Sequence, residues 1–316
     1  MWLCSPIRVS ATSLQACLTN HIFFIKMIAS NLNLARQLIA NRQNLTPELS
    51  QSTSLLPSKE GIDNLMQCIA QLIFPSVYAP VGTSYDEAYC QQLIVQIGQL
   101  MQAQIEAVDN GTMGNSQAKD LTVQLIDEFP SIQNLLYSDV EAVATNDPAV
   151  TSRTEIISCY PAITVMLHYR VAHALHQLGV PLLPRMITER AHSLTGIDIH
   201  PAAQIGASFG IDHGTGIVIG ATTIIGEHVM IYQGVTLGAR NFNRSEEGIP
   251  LDLPRHPIIE DRVTIYSNST ILGRIRIGHD SIIGGNLWIT KDIAPNSHMR
   301  QSKPIMLQDY IDGAGI

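Results

Sequence analysis

The chain has 316 residues, 19 Lys and Arg against 27 Asp and Glu, a net charge of −8, and a composition of 45% hydrophobic, 15% charged and 5% aromatic residues. That length suits two domains with a sizeable core, and the low charge argues against disorder. No basic stripe of a nucleic-acid binder is present, and no run of 18 apolar residues is available for a helical membrane span.

Residues 1–26 read as an N-terminal extension of uncertain role, with Met27 beginning the useful chain. No acidic residue precedes Glu48, while Arg8, Lys26, Arg36 and Arg42 are basic, a bias shared with organelle transit peptides. The expected localisation is cytoplasmic, with import through residues 1–26 left open. The five cysteines (Cys4, Cys17, Cys68, Cys90, Cys159) fit no zinc spacing and read as reduced thiols of a cytosolic protein.

Residues 27–195 read as an α-helical domain. Ile62, Leu65, Met66, Ile69, Leu72 and Ile73 recur at steps of three and four, as do Leu93, Ile94, Ile97, Leu100, Met101 and Ile105. A third helix is expected over Ala162–Leu178, closed by Gly179 with Pro181 soon after.

Glycine then marks a change of rule, since only 6 of the 22 glycines precede residue 196. Every sixth residue is aliphatic: Ile199, Ile205 and Ile211, then after two extra residues Ile219, Ile225, Ile231 and Leu237. After a long excursion the register resumes at Ile259, Ile265, Ile271, Ile277, Ile283 and Ile289. A period of six fits neither an α-helix nor a simple strand. It predicts a β-helix over residues 196–300, in which one aliphatic per short strand stacks inward and each coil buries its neighbour's column. Thirteen hexads make a little over four triangular coils, and after Ile289 the register decays into a tail over 301–316. The whole is an α+β chain, helical first and solenoidal second. The two interruptions, at 211–218 and in the loop 239–256, are where chemistry is expected, because a regular solenoid does not need them.

The motifs in and around those interruptions carry a resemblance. Asp198-Ile199-His200-Pro201, Asp212-His213-Gly214-Thr215-Gly216, Gly234-Val235-Thr236-Leu237-Gly238, Arg255-His256-Pro257 and, in the helical half, Asp147-Pro148-Ala149 make residues 139–316 resemble the serine acetyltransferases of the hexapeptide-repeat acyltransferase superfamily. The resemblance implies a left-handed coil and transfer of an acetyl group from acetyl-CoA to the L-serine hydroxyl, the entry to cysteine synthesis.

The chemistry can be argued from the residues beside it. A hydroxyl attacking a thioester needs a base to take its proton, and His213 has a suitable side chain for that task. A carboxylate on the other ring nitrogen fixes the tautomer. Asp198, fifteen residues earlier and so close to one 18-residue coil, is expected to stand nearly below His213 as its dyad partner, as the resemblance also implies. No cysteine lies in the solenoid, which favours direct attack, with the oxyanion held by backbone N–H groups near Thr236–Ala239. Serine is a zwitterion, so Arg255, supported by His256, is expected to take its carboxylate, and Asp147 and Asp212 its ammonium. Cysteine carries the same two groups and is expected to inhibit by competing there.

For acetyl-CoA the resemblance implies a groove between solenoids of neighbouring subunits, at Ala239, Ser267 and Gly285. Residues 196–316 hold 9 basic against 12 acidic side chains, so no deep basic bed is expected. Arg262, Arg274, Arg276 and Lys291 are unranked candidate phosphate neighbours. A trimer or a dimer of trimers follows from grooves of that kind. No metal is expected: His200, His213, His228, His256 and His279 lack the paired spacing of a zinc enzyme, and His200, His228 and His279 are expected to face solvent. Ala221 stands where many relatives carry Glu. The C-terminal Ile316 is expected, on the resemblance, to insert into the active site of O-acetylserine sulfhydrylase, as a terminal carboxylate caught in a backbone nest. Two rivals stay open: a hexapeptide acetyltransferase with another acceptor (homoserine, a sugar or a xenobiotic), which an acceptor screen decides, and a silent partner-binding scaffold, which a thiol-release assay decides.

Overall fold

A computed structural model describes residues 32, 34–41, 56–108, 115–240 and 253–302. The chain divides into two compact units, Met1–Leu55 and Leu56–Ile316. The described part of the first is helical over 34–41. The second unit carries the rest. Within it, the helices α1 (Lys59–Ile73), α2 (Pro75–Tyr78), α3 (Glu87–Val108), α4 (Asn115–Asp127), α5 (Phe129–Asn146), α6 (Arg153–Cys159), α7 (Pro161–Gln177) and α8 (Leu183–Thr195) precede fourteen strands of two or three residues.

The helices form where the apolar spacing puts a stripe on one face. In α1, Ile62, Leu65, Met66, Ile69 and Ile73 are buried, and the Ser58 hydroxyl caps the helix by accepting the Gly61 N–H. Along α3 the buried face is Leu93, Ile97, Met101 and Ile105. The helix α7 ends as its sequence suggests. Gly179 takes φ 75°, its N–H donates to the His176 carbonyl, and the Val180 N–H donates to the Leu175 carbonyl, the paired bonds of a Schellman motif.

The strands build three parallel sheets. The first runs β1 (Asp198–Ile199), β4 (Val218–Ile219), β7 (Thr236–Gly238), β10 (Thr270–Leu272) and β13 (Trp288–Ile289). The second holds β2 (Gln204–Ile205), β5 (Ile224–Ile225), β8 (Ile258–Ile259) and β11 (Arg276–Ile277). The third holds β3 (Gly210–Asp212), β6 (Met230–Tyr232), β9 (Thr264–Ile265), β12 (Ile282–Ile283) and β14 (His298–Met299). All thirteen hexad aliphatics are buried, and they join the helical core in one continuous apolar cluster.

The register shows what each interruption does. Val218 pairs with Thr236 and Ile258 with Arg276, the 18-residue step of three regular hexads. Asp198 pairs with Val218, a step of 20, so the two extra residues bulge at the corner after β3 without disturbing the stack. Thr236 pairs with Thr270, a step of 34, so the stack keeps its register across the second interruption as well. Within the expected span the solenoid holds one strand, β14, beyond the last hexad aliphatic, Ile289. Ile282 pairs with His298, a step of only 16, and both residues of β14 are exposed, so no buried aliphatic marks it in the sequence.

The helices are fastened to the first coil at the corner between the second and third sheets. Asp139 of α5 and Arg170 of α7 form a buried ion pair, Nη2 to Oδ1 at 3.0 Å. The Phe209 N–H donates to Asp139 Oδ1 at 2.9 Å, while Arg170 donates to the Ile205 and Gly206 carbonyls. The Ser208 N–H adds a bond to the Ser138 hydroxyl. The corner after the first sheet is tied to α7 as well, where the Tyr169 hydroxyl donates to the Ala203 carbonyl at 2.6 Å and His173 Nδ1 meets the Pro201 carbonyl at 2.7 Å.

Candidate active site

The corner after the third sheet gathers the acidic half of the expected site. The helix α5 ends at Asp147, and β3 ends at Asp212, with His213 in the bulge that follows. Asp147, Asp212 and His213 line one cleft of about 490 Å³ with Cys159, Tyr160 and Pro161. The Asp147 carboxylate is doubly held: Oδ1 accepts the Ala149 N–H and Oδ2 accepts the Tyr160 hydroxyl, both at 2.8 Å. That hydrogen bond is the leading cause that pushes the Tyr160 phenol up to about 12, ahead of desolvation, so Tyr160 stays a proton donor to Asp147. Tyr160 is a residue the sequence reading missed. Its only signal there is a position just before the Pro that opens α7.

His213 has φ 56°, the left-handed region, and its side chain is 70% exposed, with Nε2 at 3.7 Å from Asp212 Oδ1. Gly214 follows at φ 91°, where a Cβ would overlap the Ile197 side chain, so the turn demands glycine at that point. The expected stacking of His213 over Asp198 is not what the coil delivers. The residue one coil above Asp198 is Val218, and His213 stands five positions earlier, in the corner between β3 and β4. Asp198 instead faces Arg185 of α8, Oδ1 to Nη1 at 3.6 Å. Glu189 and His192 of α8 bring ligand-type atoms within 4.8 Å of those of Asp198, and Arg185 pairs with Glu189 as well as with Asp198.

The cationic half lies at the next corner, after the first sheet. The His256 ring sits over Gly220, where a Cβ would overlap it. His256 is buried, and its Nδ1 accepts from the Thr222 N–H at 3.1 Å and meets the Thr222 hydroxyl at 2.8 Å. Burial, with the Arg255, His200 and Arg274 charges behind it, lowers this imidazole to about 4, so it is neutral at ordinary pH. Arg255 Nε is buried and unpartnered among the described residues. His200, expected in solvent, is half-buried beside these groups, and its Nδ1 accepts the Ala202 N–H. The reason is that the corner stacks His200 under the turn that holds His256. His279 is also engaged rather than free, Nδ1 to Asp280 Oδ2 at 2.7 Å, whereas His228 is exposed.

The two corners divide the expected acetyl-CoA residues as well. Ser267 and Gly285 belong to the corner column of His213, linked coil to coil by Gly234 N–H to Thr215 O, Asn268 N–H to Gln233 O and Asn286 N–H to Ser267 O. Ala239 belongs to the column of Gly220 and Gly273, linked by Gly220 N–H to Leu237 O and Gly273 N–H to Gly238 O. Three candidate phosphate neighbours are otherwise engaged: Arg262 with Asp280, Arg276 with Glu260, and Arg274 with the Thr222 and His256 carbonyls. The Thr236 N–H is spent on the Ser269 carbonyl, as β-ladder pairing requires, and is not an oxyanion donor. Ile316 and most of the loop 239–256 lie outside the described residues.

Comparison with known proteins agrees in direction. No family model matches the chain. It is 41% identical over 283 residues to the plasmid serine acetyltransferase of Synechococcus elongatus, covering 85% of this chain and 88% of that one. It is 43% identical over 159 residues to the serine acetyltransferase of Mycobacterium tuberculosis, 50% of this chain and 66% of that one. Among solved structures, serine acetyltransferase isoform 3 of Entamoeba histolytica in complex with cysteine is similar, at a TM-score of 0.69 and 34% identity. That likeness covers 89% of this chain and 96% of the other.

Proposed function

The chain belongs to the serine acetyltransferases, and on that premise we propose that the reacting serine is held between its two working corners, with His213 as the general base. Acetyl-CoA is the acyl donor. The observation that carries the reading is the single cleft that brings Asp147, Asp212 and His213 together. Two carboxylates there attract the substrate ammonium, and His213 takes the hydroxyl proton as the oxygen attacks the thioester carbonyl directly. The C–O bond forms, the C–S bond breaks and the thiolate of CoA leaves. Asp198 is kept as the dyad carboxylate on the family resemblance. Here it faces Arg185, so the dyad forms only when the exposed His213 side chain turns inward.

The substrate carboxylate falls to Arg255 and His256. Those residues lie across one side of the triangular coil from His213, on the order of 15 Å at a strand's rise per residue, farther than one amino acid reaches. The acidic corner of one copy set against the cationic corner of the next completes the clamp, and the split of Ser267 and Gly285 from Ala239 follows the same division. The proposed assembly is therefore at least a trimer. Mixing His213→Ala with Arg255→Ala chains before assembly should recover up to about a quarter of wild-type activity, since that share of interfaces carries both intact halves in a closed ring. No recovery would mean that each chain completes its own site.

L-cysteine shares the ammonium and carboxylate of serine, and the Entamoeba relative holds cysteine. Inhibition by cysteine is accordingly proposed to be competitive with serine and weakened by Arg255→Ala; inhibition independent of serine concentration would contradict it. The C-terminal Ile316 is proposed to dock in the active site of O-acetylserine sulfhydrylase. Deleting Ile316 should abolish binding in a titration while acetyl transfer continues, and undiminished binding would refute the docking.

A further inference from the structure

The turn that carries the cationic corner is organised by one side chain that the mechanism above does not use. Thr222 follows β4, and its hydroxyl oxygen accepts the Arg255 N–H at 2.9 Å and the His256 N–H at 3.1 Å. The same hydroxyl meets His256 Nδ1 at 2.8 Å, and the Thr222 backbone N–H donates to that nitrogen at 3.1 Å. A backbone N–H can only donate, so Nδ1 must be the acceptor and the ring proton must sit on Nε2. The hydroxyl accepts two amide protons and turns its own toward Nδ1, which fixes the same tautomer a second time. From the next coil, Arg274 Nη1 donates to the Thr222 carbonyl at 2.6 Å and to the His256 carbonyl at 3.0 Å, closing the turn from outside.

The geometry points to Thr222 as the positioning residue of the carboxylate clamp: it aims Arg255, fixes His256 as an Nε2–H donor, and thereby selects acceptors that bear a carboxylate. The inference rests on the proposed role of Arg255 and His256 in holding the serine carboxylate. Its chemical consequence is a difference between acceptors. A neutral imidazole with its proton on Nε2 and a guanidinium both donate, which suits an anionic acceptor group. An acceptor with a neutral amide in place of the carboxylate gains little from their alignment.

The test compares L-serine with L-serinamide as acceptors at saturating acetyl-CoA, in the wild type, Thr222→Val and Thr222→Ser. Valine keeps the shape and removes the hydroxyl, so kcat/KM for serine should fall about tenfold, mainly through KM, as expected for loss of hydrogen bonds that serve a charged ligand. For serinamide the fall should stay under about threefold, and serine at position 222 should restore the preference to within about twofold, because its hydroxyl offers the same donor and acceptors. Should the valine chain fail to assemble, Thr222→Ala with the same pair of acceptors serves in its place. An unchanged preference for serine, or an equal loss for both acceptors, overturns the role of Thr222. A wild type that does not prefer serine over serinamide overturns the carboxylate clamp itself, and this inference with it.

Discussion

The two working corners of the solenoid are built on opposite plans. At the acidic corner the chain bulges, His213 stands mostly in solvent at a left-handed φ, and Asp147 is held by two hydrogen bonds. At the cationic corner His256 is buried, its tautomer is fixed, and the turn is tied by Thr222 and Arg274. The groups that recognise a fixed charge are preorganised, while the group that must pick up and release a proton keeps its freedom. Preorganisation lowers the ordering cost of binding, whereas a base has to reach its proton only in the reactive complex.

The strongest way to break this contrast is to remove the base. His213→Ala should lower kcat by about 10²- to 10⁴-fold, the range for general-base catalysis, with acetyl-CoA binding close to wild type in a titration. Asp198→Asn should cost less, since a base remains but is poorly oriented. A His213→Ala enzyme that kept more than about a tenth of the wild-type rate would remove the acidic corner from the chemistry.

The next effect concerns how the acidic corner is placed. Asp139→Asn breaks a buried ion pair and leaves Arg170 uncompensated, a loss of about 3–5 kcal/mol, seen as a fall in Tm of roughly 10 °C. Because the pair holds the turn leading into β3 against α5, the serine KM should rise in the enzyme that remains folded. A Tm within about 2 °C of wild type would show that the pair does not secure the first coil.

A smaller change sharpens the same corner. Tyr160→Phe deletes the hydrogen bond to Asp147, and the serine KM should rise by up to about tenfold, in line with a bond to a charged group. Little change in kcat is expected, since the phenol serves binding and not proton transfer. An unchanged KM would mean that the Ala149 N–H suffices to hold Asp147.

The smallest effect belongs to the cationic corner and appears in stability against pH. His256 titrates near 4 in the folded chain against an ordinary 6.5, so between these values the unfolded chain binds a proton that the folded chain refuses. Stability from this group is complete above about 6.5 and is lost as pH falls from 6.5 toward 4. His256→Asn should therefore show a shallower fall in Tm between pH 7 and pH 5 than the wild type. Parallel curves would assign the acid sensitivity to other groups.

By itself the sequence determined the solenoid, because a hexad of aliphatics is a local repeat and each coil reads only its neighbours. It determined the α1, α3 and α7 helices for the same local reason, and it named Asp147, Asp212, His213, Arg255 and His256 through short motifs. What only the tertiary structure decided is how those residues are distributed. The two-residue bulge makes the first coil 20 residues long, and the register sets Val218 above Asp198 with His213 in the corner before it. The short final coil hides β14 from any aliphatic count. Tyr160 reaches Asp147 and Thr222 reaches His256 only because separate turns meet at a corner, across 13 and 34 residues of chain. Such meetings depend on where each coil is cut and turned, a long-range geometric sum that a periodic pattern of side chains does not record.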